Sequence, residues 1–277
     1  MTAAVLALLA CSASPSGTDD TGGITRYVVT FGTDPSPPVA GEEARFEETV
    51  SDQDGNPVED LQASHERMIH TVFISSDLRW FLHLHQEDVT PITADDLRAA
   101  TFHFPVTFPV SGDWSVGFDF AHRDQWLAAR GDLDVVGAPP AEVEPDLTRS
   151  ETSVSGGVVA TLRWDEAPYA GVPAAFTVIL AAADGTPVED LTQWLGADGH
   201  AVMVSADRAW IQHTHAWFPG MEDMTPGHPM PHRYDGPEVP FHHVFTEPGP
   251  YRVWAQFTRA AAPDEVLTFS WAFDVGV

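Results

Sequence analysis

Apolar and polar residues alternate along much of this chain, which predicts β-strands instead of helices. Residues 44–50 show this alternation, residues 27–31 form another short apolar run that is typical of a strand, and clusters of Gly, Pro, Asn and Asp separate such runs. Roughly seven short strands in each half favour immunoglobulin-like β-sandwich domains, with a small barrel as the alternative. The predicted fold class is therefore all-β.

The pattern occurs twice, which predicts an internal duplication into two tandem sandwiches. Phe46 returns 130 residues later as Phe176, and Phe120 returns 137 residues later as Phe257. The loop after His215 has therefore gained seven residues. A period this long indicates duplicated domains and not a solenoid of short repeats.

The chain divides into four predicted segments. Residues 1–24 read as a lipoprotein-type signal and flexible tether, and residues 25–137 as the first sandwich. A linker rich in Pro and Glu covers 138–149, and the second sandwich covers 150–277.

Each repeat contains a hairpin sequence with three histidines around a Ser-x-Asp turn. The histidines are His70, His83 and His85 in the first repeat and His200, His213 and His215 in the second. Antiparallel pairing of the first histidine with the last puts all three on one face, because residues two apart in a strand share a face. Their nitrogens should then converge to within roughly 3–4 Å, a spacing suited to zinc. A slip of one residue would reverse the first histidine, and half-buried histidines with satisfied hydrogen bonds are the alternative.

The same register makes a prediction about the core. It places Val202, Val204 and Ile211 on the histidine face and leaves Gln212 and Thr214 on the other. We therefore expect the histidine face to point into the sandwich.

Four other residues have no predicted role as ligands. Asp77 and Asp207 occupy the turns, where an aspartate usually bonds local backbone. His65 and His122 have no counterpart in the other repeat, and we expect them at the surface.

The lengthened loop is a second candidate metal-binding segment. Its candidate ligands, together with one histidine of a later strand, are Met221, Met224, His228, Met230, His232 and His243. Thioethers suit Cu(I), and imidazole suits copper or zinc. The first repeat has only Gln-Glu-Asp at 86–88, so we expect Cu(I) to prefer the second repeat and Zn(II) or Cu(II) the first, through nitrogen and carboxylate. Methionines that merely fill gaps are the alternative.

The net charge of the chain limits the kinds of partner that it is expected to bind. The chain has 13 Lys+Arg and 41 Asp+Glu, a net charge of −28, and no lysine. Such a surface repels nucleic acid and anionic lipid, and the lack of lysine excludes Schiff-base and P-loop chemistry. A metal ion and an envelope metal-handling protein are the expected partners.

The single cysteine has an informative setting. Cys11 follows a short apolar run at 3–10 and precedes a stretch rich in Ser, Thr and Gly. The sequence Leu-Leu-Ala-Cys at 8–11 is similar to a bacterial lipobox, where cleavage precedes a lipid-carrying cysteine. This predicts a lipid anchor in the bacterial cell envelope, on its periplasmic or outer side, with no other membrane contact. A disordered N-terminus with an incidental cysteine is the alternative.

Several of these segments resemble secreted YtkA-like domains of bacterial envelopes. They are the Gly-x-Pro-Val-x-Asp-Leu motif, the histidine-led strand with His-x-His, and the Pro-Gly-Pro-Tyr-Arg-Val-Trp segment at 248–254. The resemblance covers both repeats and is closer in the second. It implies immunoglobulin-type sandwiches, a role in copper or heavy-metal handling, and the two histidine triples as ligands. Where related sequences continue His-Pro, this chain has Gln86 and Ala216.

The leading hypothesis is a lipid-anchored envelope protein that binds copper and buffers it or passes it on. A three-histidine zinc enzyme with an open fourth position is the second hypothesis. An adhesion or interaction module with structural histidines is the third.

Overall fold

The computed structural model describes residues 5–8, 26–64, 66–221 and 224–277. It consists of β-strands joined by turns and divides into two compact units, with the boundary between Pro145 and Asp146. This confirms the all-β prediction and the two tandem repeats. Cys11, His65 and most of the predicted tether lie outside the described residues. Among the described residues, no helix has the length and hydropathy needed to cross a bilayer.

The first unit contains two antiparallel sheets. Its strands are β1 (Val5–Leu8), β2 (Tyr27–Asp34), β3 (Glu43–Asp52), β4 (Ile69–Ser75), β5 (Phe81–Leu84), β6 (Thr101–Thr107), β7 (Gly112–His122) and β8 (Gln125–Val135). One sheet has the order β1-β2-β3-β6 and the other β5-β4-β7-β8. A single 3-10 turn (Gln86–Asp88) and a short helix α1 (Ala94–Ala99) follow the hairpin β4–β5.

The second unit repeats this order. Its strands are β9 (Thr152–Ser155), β10 (Val158–Trp164), β11 (Pro173–Ala182), β12 (Leu191–Thr192), β13 (His200–Ser205), β14 (Ile211–His215), β15 (Glu238–Val244), β16 (Gly249–Arg259) and β17 (Ala262–Val275). One sheet has the order β15-β11-β10-β9, and the other has β12-β16-β13-β14 with β17 also paired to β16. Strand β11 starts 130 residues after β3 and β16 starts 137 after β7, as the duplication predicts.

Aromatic side chains fill the space between the two sheets of each unit. In the first unit the Phe46 ring of β3 meets the Phe73 ring of β4 edge-on, with centroids 4.9 Å apart. In the second unit Phe241 of β15 packs against Phe257 of β16 at 6.2 Å. All four rings are buried, so each pair joins the two sheets of one sandwich across a single apolar core.

The histidine face of each hairpin lies opposite to the core of its own sandwich. Ala201 and Met203 of β13 belong to the second core, whereas Val202 and Val204 alternate with them on the other face. The expectation that the histidine face points into the sandwich is therefore wrong. Both faces of β13 are buried, and period-two alternation cannot tell two buried faces apart.

His122 is buried, contrary to its predicted surface position. Its Nδ1 accepts a hydrogen bond from the Tyr27 hydroxyl at 2.7 Å, and its Nε2 lies 2.8 Å from the Asp60 carboxylate. In the second unit Arg259 takes the equivalent position and bonds Asp190 at 2.7 Å. Each pair ties the Val-Glu-Asp-Leu segment to the end of a central strand, so His122 has a structural role.

A buried carboxyl group distinguishes the first core from the second. Glu48 of β3 is almost fully buried and accepts a hydrogen bond from the Thr71 hydroxyl of β4 at 2.7 Å. Burial raises the pKa of Glu48 to about 8, and the bond from Thr71 offsets only part of that effect. The second unit has Val178 and Ala201 at these two positions, and both belong to its apolar core.

We predict that Glu48 makes stability fall as pH rises. Its pKa is higher in the folded than in the unfolded chain, so the folded state retains a proton that the unfolded state releases between pH 4.5 and about 8. Its contribution is complete below pH 4.5 and is lost towards pH 8, by at most about 1.4 kcal/mol per pH unit. The double variant Glu48→Val/Thr71→Ala, which copies the second unit, should remove that slope.

Urea unfolding of the full chain at several pH values between 5 and 8 measures the effect. Glu47→Gln, one residue away and half exposed, is the matched control and should leave the slope as in the wild type. An unchanged slope in the double variant would contradict the assignment of this pH dependence to Glu48.

Candidate metal centres

The register of the two hairpins matches the prediction. In the second unit His200 pairs with His215 and Val202 pairs with His213. In the first unit Val72 pairs with His83, which is the same register and brings His70 opposite His85. Because residues two apart share a face, each hairpin presents three imidazoles side by side. We call these sets the first triad (His70, His83, His85) and the second triad (His200, His213, His215).

A matching turn holds each hairpin in this register. The Asp77 carboxylate accepts the Ser75 hydroxyl and the backbone N–H of Arg79, while the Ser75 Oγ accepts the N–H of Trp80 at 3.0 Å. Asp207 and Ser205 make the corresponding bonds in the second unit. The prediction that both aspartates bond local backbone is confirmed.

Three nitrogens of the first triad meet at one point. The Nε2 of His85 lies 3.0 Å from the Nδ1 of His70 and 3.1 Å from the Nε2 of His83. The Nδ1 of His70 lies 3.2 Å from the Nε2 of His83. All three rings are buried. The convergence predicted from the register is therefore present.

In each ring of the first triad we call the nitrogen that faces the other two rings the inner nitrogen and the other one the outer nitrogen. The hydrogen-bond partner of an outer nitrogen determines whether the inner nitrogen of the same ring has a lone pair. The Nε2 of His70 lies 2.9 Å from the carbonyl oxygen of Ser64, and the Nδ1 of His85 lies 2.7 Å from a carboxylate oxygen of Asp88. Carbonyl and carboxylate oxygens only accept, so both outer nitrogens carry the proton. In a neutral imidazole the other nitrogen then has a lone pair. The inner nitrogens of His70 and His85 thus direct lone pairs towards one point.

Asp88 orients the His85 ring by accepting a hydrogen bond from its Nδ1–H. Its other carboxylate oxygen accepts two bonds from Arg67, at 2.8 and 3.1 Å. Burial acts to raise the pKa of Asp88, but the hydrogen bonds from His85 and Arg67 outweigh it and hold that pKa below its ordinary value. A carboxylate behind a ligating histidine fixes its tautomer and raises its basicity, an arrangement common at metal sites. The sequence predicted that a carboxylate of the segment 86–88 would contribute to the site, and Asp88 does so by contacting the far side of the His85 ring.

The second triad repeats the inner geometry. The Nδ1 of His200 lies 3.1 Å from the Nε2 of His213, and the Nε2 of His200 lies 2.7 Å from the carbonyl oxygen of Trp194. The His215 ring lies 4.7 and 4.5 Å from the other two rings. One nitrogen from each of the three histidines lies within 4.8 Å of the other two.

This donor set fits a tetrahedral or trigonal transition-metal ion. Zn–N bonds of ~2.0–2.1 Å in a tetrahedral site separate the nitrogens by about 3.3–3.4 Å. The separations in the first triad are only slightly shorter. Three imidazoles leave one coordination position for another ligand, and both copper and zinc accept this donor type.

The loop methionines form an apolar cluster. Met230 is buried with Ala197 and Phe218, and Met221 and Met224 pack against them from a partly buried position. The Nε2 of Gln193 donates to the carbonyl oxygen of Met230. The loop thus packs its methionines together, as the packing alternative describes.

His232 and His228 do not join the second triad. His232 bonds the carboxylate of Asp198 through Nδ1 and that of Asp235 through Nε2, at 2.9 Å for the second bond. These carboxylates raise the pKa of His232, and the hydrogen bond that its Nδ1–H donates to Asp198 contributes most. Asp198 also accepts the backbone N–H groups of residues 233 and 234, so His232 anchors the end of the loop. His228 is exposed.

His243 also lies outside the second triad. It projects from β15, in the sheet opposite the hairpin, and bonds the side-chain oxygen of Gln212. Burial lowers the pKa of His243 to about 4, so it is neutral. Gln212 pairs with Met203 on the core face of the hairpin. The predicted role of His243 as a ligand therefore has no support from its position.

The described residues include contacts of the triads that sequence reasoning missed. These are the carbonyl groups of Ser64 and Trp194 and the Arg67–Asp88 pair. Each carbonyl lies six residues before the histidine that it bonds, a regularity that both repeats share. The position of Asp88, three residues after His85, is the feature of the sequence that could have identified it as a partner of that histidine.

The chain belongs to the family described as Domain of unknown function (DUF8832), whose model matches residues 23–137 and 152–276. The two matches correspond to the two repeats. The matching family has a different description from the YtkA-like family that the sequence motifs resemble. No curated protein matches the chain.

Three solved structures show weak similarity to the chain. A glycosyl hydrolase family 2 member from Bacteroides cellulosilyticus is 9% identical over 85% of this chain and 23% of its own, with a TM-score of 0.19. The FN1–FN3 domains of chicken CNTN1 are 6% identical over 87% and 65%, with a TM-score of 0.22. A Parabacteroides merdae beta-glucuronidase is 7% identical over 90% and 25%, at 0.21. This chain spans less than two thirds of the length of each of these chains.

The anchoring of the loop generates a prediction about stability. Asp198→Asn removes a buried charge acceptor shared by His232 and two backbone N–H groups, so it should lower the free energy of unfolding by about 1–3 kcal/mol. Asp235→Asn, at an exposed position, is the matched control and should stay within about 0.5 kcal/mol of the wild type. Urea unfolding and the rate of proteolysis within residues 216–232 measure both. Equal effects of the two variants would show that Asp198 does not anchor the loop.

Proposed function

We propose that this protein binds copper in the bacterial cell envelope, through the first and second triads, and buffers the metal or passes it to another envelope protein. The observation that carries the proposal is the convergence of three imidazole nitrogens, 3.0–3.2 Å apart in the first triad. Imidazole nitrogens are good copper and zinc ligands, and copper binds more tightly than zinc to most such sites. The resemblance to YtkA-like domains, a family associated with copper handling, agrees with this proposal.

The negative net charge of the protein supports the binding of a cation. The net charge of −28 attracts cations to the protein surface and raises their local concentration. The triads themselves consist of neutral ligands, so a bound ion keeps its charge and is not neutralised. This favours a site that releases its metal to a partner with thiolate or carboxylate ligands.

The metal proposal predicts a defined stoichiometry. The full chain, purified without a histidine tag, should bind about two equivalents of copper with three-histidine ligation. His83→Ala and His213→Ala should each remove about one equivalent, because each deletes one nitrogen of a three-nitrogen site. Mass spectrometry of metal content and competition with a chromophoric chelator measure the bound copper.

Two histidines outside the triads serve as matched controls. His243→Gln and His232→Asn should keep both equivalents, since their nitrogens bond Gln212 or two carboxylates. Full copper binding by the His83→Ala/His213→Ala double variant would overturn the proposal. Preferential zinc binding with hydrolytic or hydratase turnover would instead favour the zinc-enzyme hypothesis.

The envelope location rests on Cys11 and is also a proposal. Cleavage before Cys11 would attach the folded units to the membrane through lipid on a tether ending near residue 24. In a bacterial host, labelled palmitate should be incorporated into the wild-type protein and lost in Cys11→Ser. Equal labelling of both, or of neither, would remove the anchor from the proposal.

A further inference from the structure

We propose that Met221 and Met224 form a modification site for hydroperoxides, and that their oxidation releases the lengthened loop from the turn that orients His200. This turn comprises residues 194–197, and we call it the carbonyl turn. Loss of its support weakens metal binding by the second triad, and only this last step rests on the proposed function.

The carbonyl turn contacts the first histidine of the second triad. Trp194 and Ala197 exchange two backbone hydrogen bonds, at 2.9 and 3.1 Å. The carbonyl oxygen of Trp194 accepts the Nε2–H of His200 at 2.7 Å, and the two rings meet edge-on with centroids 5.1 Å apart. Because a carbonyl oxygen only accepts, this bond fixes the tautomer of a neutral His200 in which Nδ1, the nitrogen facing His213, has a lone pair.

The lengthened loop contacts the carbonyl turn and the residues on either side of it. Gln193 donates from its side chain to the carbonyl oxygen of Met230 at 3.0 Å. Ala197 is buried in one cluster with Phe218 and Met230. Asp198 accepts two backbone N–H groups at the end of the loop, at 2.6 and 3.0 Å. The position of the turn therefore depends on the loop staying in place.

The first unit supports the equivalent turn with charged and polar groups. Ser64 and Arg67 exchange backbone hydrogen bonds at 2.7 and 3.0 Å, as Trp194 and Ala197 do. Arg67 bonds the Asp88 carboxylate, and the backbone N–H of Met68 donates to Glu87 at 2.9 Å. In both units the segment after the last histidine thus holds the turn, but only the second unit uses an apolar cluster with thioethers for this purpose.

Met221 and Met224 are the accessible thioethers of that cluster. Both are partly buried, whereas Met230 is 7% exposed and Met203 of the sandwich core only 1%. A hydroperoxide transfers one oxygen atom to a thioether sulfur: the O–O bond breaks, a sulfur–oxygen bond forms, and the reduced peroxide leaves as water or an alcohol. The sulfur is oxidised to a sulfoxide, and the reaction needs no further reactant.

The sulfoxide is incompatible with the apolar cluster. It is polar, and its oxygen accepts hydrogen bonds, whereas Ala197 and Phe218 present apolar side chains. Burial of a polar group without a hydrogen bond is unfavourable. We therefore expect oxidised Met221 and Met224 to leave the cluster and to draw the loop away from the carbonyl turn, so that His200 loses its fixed acceptor.

The test applies hydrogen peroxide to the full chain after a chelator has removed all metal. Peptide mass spectrometry should detect sulfoxide at Met221 and Met224 at least about tenfold faster than at the buried Met203. In ¹⁵N-labelled protein the Nε2–H resonance of His200, assigned by its loss in His200→Gln, should exchange with water at least about tenfold faster after oxidation. Proteolysis within residues 216–232 should accelerate as well. Methionine sulfoxide reductases with a dithiol should reverse both changes.

Leucine variants identify the methionines responsible. Met221→Leu/Met224→Leu keeps apolar side chains of similar size that peroxide does not oxidise, so treatment should leave the His200 resonance unchanged. Met68→Leu is the matched control, because Met68 is a partly buried methionine of the first unit, and this variant should respond as the wild type does. A response that persists in the double variant overturns the inference. Sulfoxide at both positions without any change at His200 also overturns it.

The effect on the metal is measured in the His83→Ala chain, which retains the second triad. After removal of the peroxide, copper affinity from competition with a chromophoric chelator should be lower by about 10–100-fold, the usual cost of losing a group behind a ligating histidine. Addition of Met221→Leu/Met224→Leu should prevent this loss. Unchanged affinity after the His200 resonance has changed overturns the link to the second triad. Failure to bind copper before oxidation overturns the proposed function alone, because the sulfoxide mapping and the His200 resonance are measured without metal.

Discussion

Backbone hydrogen bonding between the two strands of the histidine hairpin sets the position of every imidazole in each triad. The pairing of His200 with His215 puts the lone histidine and the His-x-His pair on one face, and a slip of one residue would separate them. Asp77 and Asp207 stabilise the turns from which this register follows. The sandwich behind the hairpin then keeps the strands in place, because β4 and β13 also pair with the long central strands β7 and β16.

Sequence reasoning reached the duplication, the register and the convergence of the triads, because all three follow from spacing. It failed where the answer depends on packing between distant segments. Alternation identified Val202 and Val204 as neighbours of the histidines, but Ala201 and Met203 on the other face are equally apolar, so the core face could not be chosen. His122 has no counterpart in sequence, and only the three-dimensional contact with Tyr27 shows its purpose.

The hydrogen bonds of the other histidines clarify what is unusual about the triads. Both ring nitrogens of His122 meet oxygen partners, and so do both nitrogens of His232. In the first triad the outer nitrogens of His70 and His85 meet oxygen, while their inner nitrogens meet each other at 3.0 Å. When both outer nitrogens carry the proton, the inner nitrogens of His70 and His85 offer two ligand atoms to one cation. His122 and His232 do not show such an arrangement.

Comparison of the two units separates what the hairpin requires from what it tolerates. Buried neighbours have changed on the core side, where Glu48 and Thr71 correspond to Val178 and Ala201. Structural polar contacts have changed as well, since His122 corresponds to Arg259. The triads and their turn aspartates are the same in both units although the surrounding residues differ. If the triads had only a packing role, an apolar residue could replace a histidine, as Val178 replaces Glu48 in the second unit. The retained imidazoles therefore indicate a chemical requirement, and ligation of a metal ion would satisfy it.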